Sequence, residues 1–147
     1  VDIFSFEKYA GYFLWKPIII RHALDTFPNQ TILYCDANMV FKNFNKFESV
    51  FSMRMFDQGI FLIKHRNRIN NDWTKYDTFH VMDATSDRYR NANQIWSVIQ
   101  GWNKYRSGTL NEYLEYCKNI NALTEVPNIY GENYPGFTYV AHGIQIC

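Results

Sequence analysis

Asp36 and Asn38 stand two residues apart in the stretch TILYCDANMV, residues 31–40, directly after the apolar run Ile32, Leu33 and Tyr34. In an extended or turning segment, residues i and i+2 point the same way. A carboxylate and an amide oxygen so placed can share one hard divalent cation such as Mg2+ or Mn2+. Such a cation would bridge to a diphosphate and offset its charge. The plain alternative is an Asx-turn at a strand end, with both side chains bonded to local backbone.

Positioning these two residues falls to the flanking elements. Residues 5–26 read as helical with a break near Pro17, and Pro suits a first helical turn because its missing N–H costs nothing there. The run PIIIRHALDTF places Ile18, Ile19, His22 and Ala23 on one apolar face. Residues 31–35 read as a short strand, GIFLIKH (59–65) as a second, and NQIWSVIQGW (93–102) as a third. RNRINND reads as a polar turn, and residues 72–84 as a short helix. In TLNEYLEYCKNI (109–120), Leu110, Tyr113, Leu114 and Cys117 share a helical face, and Thr109 with Glu112 has capping-box spacing. The 122–137 stretch, with Pro127, Gly131, Pro135 and Gly136, reads as a long loop, and FTYVAHGIQI as a final strand. Strands interleaved with helices predict an α/β fold, in which ligands sit at the carboxyl ends of the strands.

Bulk properties narrow the function. The chain has 147 residues, 47% apolar and 18% aromatic, which is enough for one domain with a core. A net charge of +1 argues against a dedicated nucleic-acid binder. Cys35, Cys117 and Cys147 are widely spaced with no C-x-x-C pair, against a structural zinc site and in favour of a reducing compartment such as the cytoplasm. No apolar run reaches bilayer-spanning length, so no membrane span is expected.

The segments GYFLWKPIII, ILYCDAN, WTKYDTFHVM, LNEYLEYC, LTEVPN and ENYPGFTYVAH occur in this order over residues 9–147. In that order they resemble the GT-A-fold nucleotide-diphospho-sugar glycosyltransferases, in particular a group found in bacteria, plants and large DNA viruses. That group carries a G-Y-x-x-W-K-P helix, a Y-x-D-A-G/N strand end, a T-K-x-D-x-F helix and a closing H-R-x-D-Q-S-type segment. The Asn, Lys and aromatic-rich composition would suit a small viral enzyme, such as those of chlorella-type viruses, acting in the host cytoplasm. The resemblance implies a single Rossmann-like GT-A domain over 1–147. Val1 starts after the place where the family's N-terminal base-holding unit lies, so the chain reads as a fragment.

The resemblance also implies an activity: metal-dependent transfer of a sugar from a UDP-sugar donor to a hydroxyl of a carbohydrate or glycoprotein glycan. Asp36 and Asn38 would occupy the D-x-D site with Mn2+ or Mg2+, and His142 would be a third metal ligand. Lys16 would place its charge near the diphosphate, with Trp15 and Lys75 also on the donor side. Either Lys16 or Lys75 could instead be a solvated helix charge, and Trp15 a packing residue. Asp77 is the first choice for the catalytic carboxylate because it lies inside the T-K-x-D motif. Asp83, Asp57 and Glu132 are the other acids at hand, and Tyr130, Tyr134 and Phe137 could wall a sugar site. The Asp-Gln expected after the late His is absent, since Gly143, Ile144 and Gln145 follow His142. A non-catalytic carbohydrate-binding module is therefore the main rival reading, with a metal-dependent phosphohydrolase and a purely structural interaction protein behind it.

Overall fold

The computed structural model describes residues 14–123 and 126–138. Within them the chain is a mixed α/β arrangement around a three-stranded sheet of order β1-β3-β2, antiparallel throughout. The strands are β1 (Ile32–Cys35), β2 (Ile60–Ile69) and β3 (Asn93–Trp102). Helix α1 (Trp15–Thr26) precedes β1, and α2 (Phe44–Gln58) joins β1 to β2. Between β2 and β3 lie three short helices, α3 (Asn70–Trp73), α4 (Tyr76–Val81) and α5 (Asp87–Arg90). After β3 come a 3-10 turn (Lys104–Arg106), α6 (Ser107–Tyr116) and α7 (Ile120–Leu123). The proposed closing strand lies outside the described residues, apart from Phe137 and Thr138, which form no strand.

Pro17 sits in the first turn of α1, where the missing N–H is harmless. The buried face of that helix differs from the expected one. Lys16, Pro17, Ile20 and Leu24 point inward, while Ile18, Ile19 and His22 are exposed. Three consecutive isoleucines leave the phase of a helix undetermined. Leu24 settles it, because Ile20 lies one turn before it and both reach Trp102 and Leu110. On the far side of this core α6 buries Leu110, with Tyr113 and Leu114 partly buried, and Cys117 at its C-terminal cap is buried on the same face, as the spacing predicts. The capping box is not formed. Helix α6 begins at Ser107, so Thr109 lies inside it, and the first turn has no side-chain cap.

Helix α2 covers the opposite face of the sheet. Phe47, Phe51 and Met55 recur every fourth residue, and Phe47 and Phe51 meet Phe61 edge-on. Gly101 of β3 makes the seat possible. A Cβ there would stand 2.4 Å from the Phe51 ring and 2.9 Å from the Met55 sulfur.

Strand β2 runs past the expected turn, and its register with β3 breaks twice. Residues 97–99 of β3 have no β2 partner between the pairs Leu62↔Gln100 and Ile63↔Trp96. Residues 65–68 of β2 then stand opposite Gln94 alone, between Lys64↔Ile95 and Ile69↔Asn93. Bulges of this kind bend strands and cluster beside functional sites. On its other side the bulged part of β3 stays bonded to the chain after β1, where the Asp36 amide donates to the Val98 carbonyl at 2.8 Å.

Candidate functional site

Strand β1 ends at Cys35, and a tight turn follows in which the Met39 amide donates to the Asp36 carbonyl. The Asp36 side chain, about a quarter exposed, meets Lys16 of α1. The Lys16 Nζ lies 2.9 Å from one carboxylate oxygen and 3.1 Å from the other. The Tyr34 hydroxyl donates to the same carboxylate. Tyr34 and Asp36 are two apart on an extended segment, so they share a side. The Tyr34 ring meets Trp15 edge-on at 6.0 Å, and the Lys16 ammonium stands 5.6 Å from its centroid. Burial, followed by the bond to Asp36, pushes the Tyr34 phenol well above its ordinary range, so it stays a donor.

The W-K and Y-x-D motifs, 20 residues apart in sequence, therefore form one cluster. Lys16 is buried rather than solvated, while Trp15 is 40% exposed. Tyr34 is the member that spacing alone left unassigned, although the motif Y-x-D-A contains it. Asn38 is exposed in the turn. His142 lies outside the described residues. Among the described residues, no three His, Cys, Asp or Glu side chains gather in a metal-sized group. Asp36 is the member of the D-x-N pair whose side-chain surroundings are defined, and its carboxylate is engaged by the Lys16 ammonium and the Tyr34 hydroxyl. A cation held by Asp36 and Asn38 would compete with the Lys16 ammonium for the carboxylate.

The T-K-x-D segment forms a second neighbourhood. Thr74 and Lys75 are extended, and α4 starts at Tyr76, so the segment splits into two short helices rather than one. Lys75 is 2% exposed and donates to the Val126 carbonyl at 2.7 Å. Burial lowers its pKa, against the opposing pull of Asp77. Asp77 is fully buried. Its two oxygens accept the backbone N–H groups of Ile129 (2.9 Å) and Tyr130 (3.1 Å). The Asp77 amide in turn donates to Asn128, and the Tyr76 amide to Asn133. Both charged residues of the motif thus fasten the 126–133 loop. Gly131 belongs to the same clasp, since a Cβ there would stand 2.6 Å from the Tyr76 ring.

That loop lays Tyr130 flat on His80, with centroids 4.4 Å apart, and Tyr134 packs on Tyr76 and Phe79. The other candidate acids are solvent-facing. Asp83 follows α4 in a left-handed conformation, Asp57 lies in the last turn of α2, and Glu132 is exposed on the loop. Compared with protein-family models, curated proteins and solved structures, the chain matches none. No helix among the described residues is long and apolar enough to cross a membrane.

Proposed function

We propose that this chain is a GT-A-type glycosyltransferase domain that moves a sugar from a UDP-sugar to a carbohydrate hydroxyl. One observation carries the reading: the two most distinctive segments of the resemblance, W-K-P and D-A-N, meet through the Lys16–Asp36 ion pair at the end of β1. Asp36 and Asn38 would hold the Mn2+ or Mg2+, which supplies charge stabilisation to a leaving diphosphate when bound. Lys16, if released from Asp36, would supply an ammonium to pair with an anionic oxygen of the donor. Tyr34 holds the carboxylate in orientation, and Trp15 offers an exposed ring edge beside it.

A non-catalytic sugar-binding module is the second reading, and Asp77 favours it. The acid of the T-K-x-D motif is spent on two backbone N–H groups and is buried. The discriminating experiment is thermal unfolding with UDP, with and without Mn2+, on the wild type and on Asp36→Ala. Ligand at a hundred times its dissociation constant adds about 2.7 kcal/mol, a rise of several degrees for a domain of this size. The expected result is a Mn2+-dependent rise that Asp36→Ala removes. A rise independent of Mn2+ and of Asp36 removes the metal-dependent donor site and leaves the binding-module reading.

A further inference from the structure

Helix α2 is held to the sheet along one side only. Phe47, Phe51 and Met55 turn inward, and the other residues of the helix are exposed. Among these, Val50, Met53 and Phe56 follow one another at three-residue steps, which sets them side by side along the helix surface. The Phe56 ring is 92% exposed. Single apolar residues on a surface need no account, but a contiguous run of them marks a contact.

Two charges bracket the run. Lys46 stands four residues before Val50, and Asp57 four after Met53. The order Lys46, Val50, Met53, Asp57 thus has the four-three-four spacing of a helix–helix seam. Both charges are exposed, and neither forms an ion pair among the described residues. Each also opposes the helix dipole, with the cation in the first turn and the anion in the last, where the opposite signs would stabilise the helix. The isolated helix gains nothing from this placement.

We infer that this face of α2 is a self-association surface, on which a second copy of the chain lays the same helix antiparallel. A two-fold axis passing between Phe51 and Ser52 carries position 46 onto 57 and position 50 onto 53. Lys46 of each copy then meets Asp57 of the other at both ends of the seam, and Val50 meets Met53 in its middle. Each end of one helix dipole also lies beside the opposite end of the other. A parallel copy would set Lys46 on Lys46 and Asp57 on Asp57, so the charges select one orientation. Phe56 borders the seam beside Met53 and loses contact with water as the copies close. The pattern complements its own reverse, which a different partner would not require. The inference does not depend on a donor site at Asp36.

The test is sedimentation velocity of the whole chain from about 1 µM to 1 mM, the range in which small interfaces associate. The wild type is compared with Met53→Lys, Lys46→Asp, Asp57→Lys and the exchange Lys46→Asp/Asp57→Lys. These positions are exposed, and each variant is checked for its fold by circular dichroism. The expected result is a reversible monomer–dimer equilibrium in the wild type. Met53→Lys should weaken the dimer at least about tenfold, because it puts an ammonium into an apolar contact. Each single reversal should weaken it by about the same factor, since the two-fold axis makes both end pairs repulsive at once. The exchange variant should return to within about threefold of the wild type, because it restores both pairs with the signs inverted. A wild type that stays monomeric throughout, a species larger than a dimer, a dimer indifferent to Met53→Lys, or an exchange variant no tighter than the single reversals overturns the proposal.

Discussion

Asp77 and Asp36 are both acids in matched motifs, and their surroundings give them different work. Asp36 keeps partial access to solvent and pairs with one ammonium and one hydroxyl. Asp77 is sealed, and its charge is met by two consecutive backbone N–H groups. Hydrogen bonds to a charged acceptor contribute about 1.5–3 kcal/mol each. Asp77→Ala should therefore release the loop at a local cost of about 3 kcal/mol, seen as new proteolytic cleavage within 126–133. Asp77→Asn keeps one acceptor but turns an NH2 toward an N–H, so it should fall between wild type and Ala. If glycosyl transfer is measured and Asp77→Asn abolishes it with the loop still protected from protease, Asp77 is catalytic rather than a clasp. Lys16 and Asp36 were legible as candidates because both belong to motifs quoted from the sequence, but their ion pair was not, since spacing does not show which distant charges meet. The clasp was not, because its partners are main-chain N–H groups, which every residue type offers.

At the level of elements, the strands β1 and β3 were legible from β-branched and aromatic runs between turn residues. The second half of β2 was not, since KHRNR looks like a turn and is in fact a bulged outer strand stabilised by its pairing with β3. Helix phase and helix start were likewise decided by tertiary contacts, in α1 by Leu24 and in α6 by the preceding 3-10 turn. The seat of α2 depends on one missing side chain. Only Phe47, Phe51 and Met55 of this helix turn toward the sheet, and the last two close over Gly101. Gly101→Ala should push α2 off β3 and cost about 1–3 kcal/mol, the usual range for overpacking. Shortening the opposing ring in Gly101→Ala/Phe51→Leu should recover part of that loss. A denaturation midpoint lower in the double variant than in Gly101→Ala would show that the alanine is accommodated some other way.

Across the whole molecule, the hydrophobic clusters are linked rather than separate. Tyr113 touches both the sheet core of Ile20, Leu24, Trp102 and Leu110 and the cluster of Leu14, Cys117 and Ala122. Met82 joins that cluster to Phe79 and Ala84 under the 126–138 loop. Cys117 therefore sits at the joint, 1% exposed, and burial pushes its thiol from 9.0 up to about 12. A thiol pKa raised by folding means that the folded state favours the neutral form. The contribution is fully present below pH 9 and is lost as pH rises through about 12. Each pH step in that window costs about 1.4 kcal/mol, so by pH 10.5 the chain should have lost about 2 kcal/mol through this group alone. Other thiols and phenols titrate in the same range, so the measurement is a difference. Cys117→Ala should be less stable than wild type at pH 8, because it leaves a small cavity. The gap should narrow by about 2 kcal/mol between pH 8 and 10.5, because the alanine has no proton to lose. Because the joint belongs to both halves, urea midpoints read from near-UV circular dichroism of the sheet-core tryptophan region and from far-UV helix signal should move together. A gap that stays constant with pH would show that Cys117 reaches solvent in the folded chain and that the joint is open.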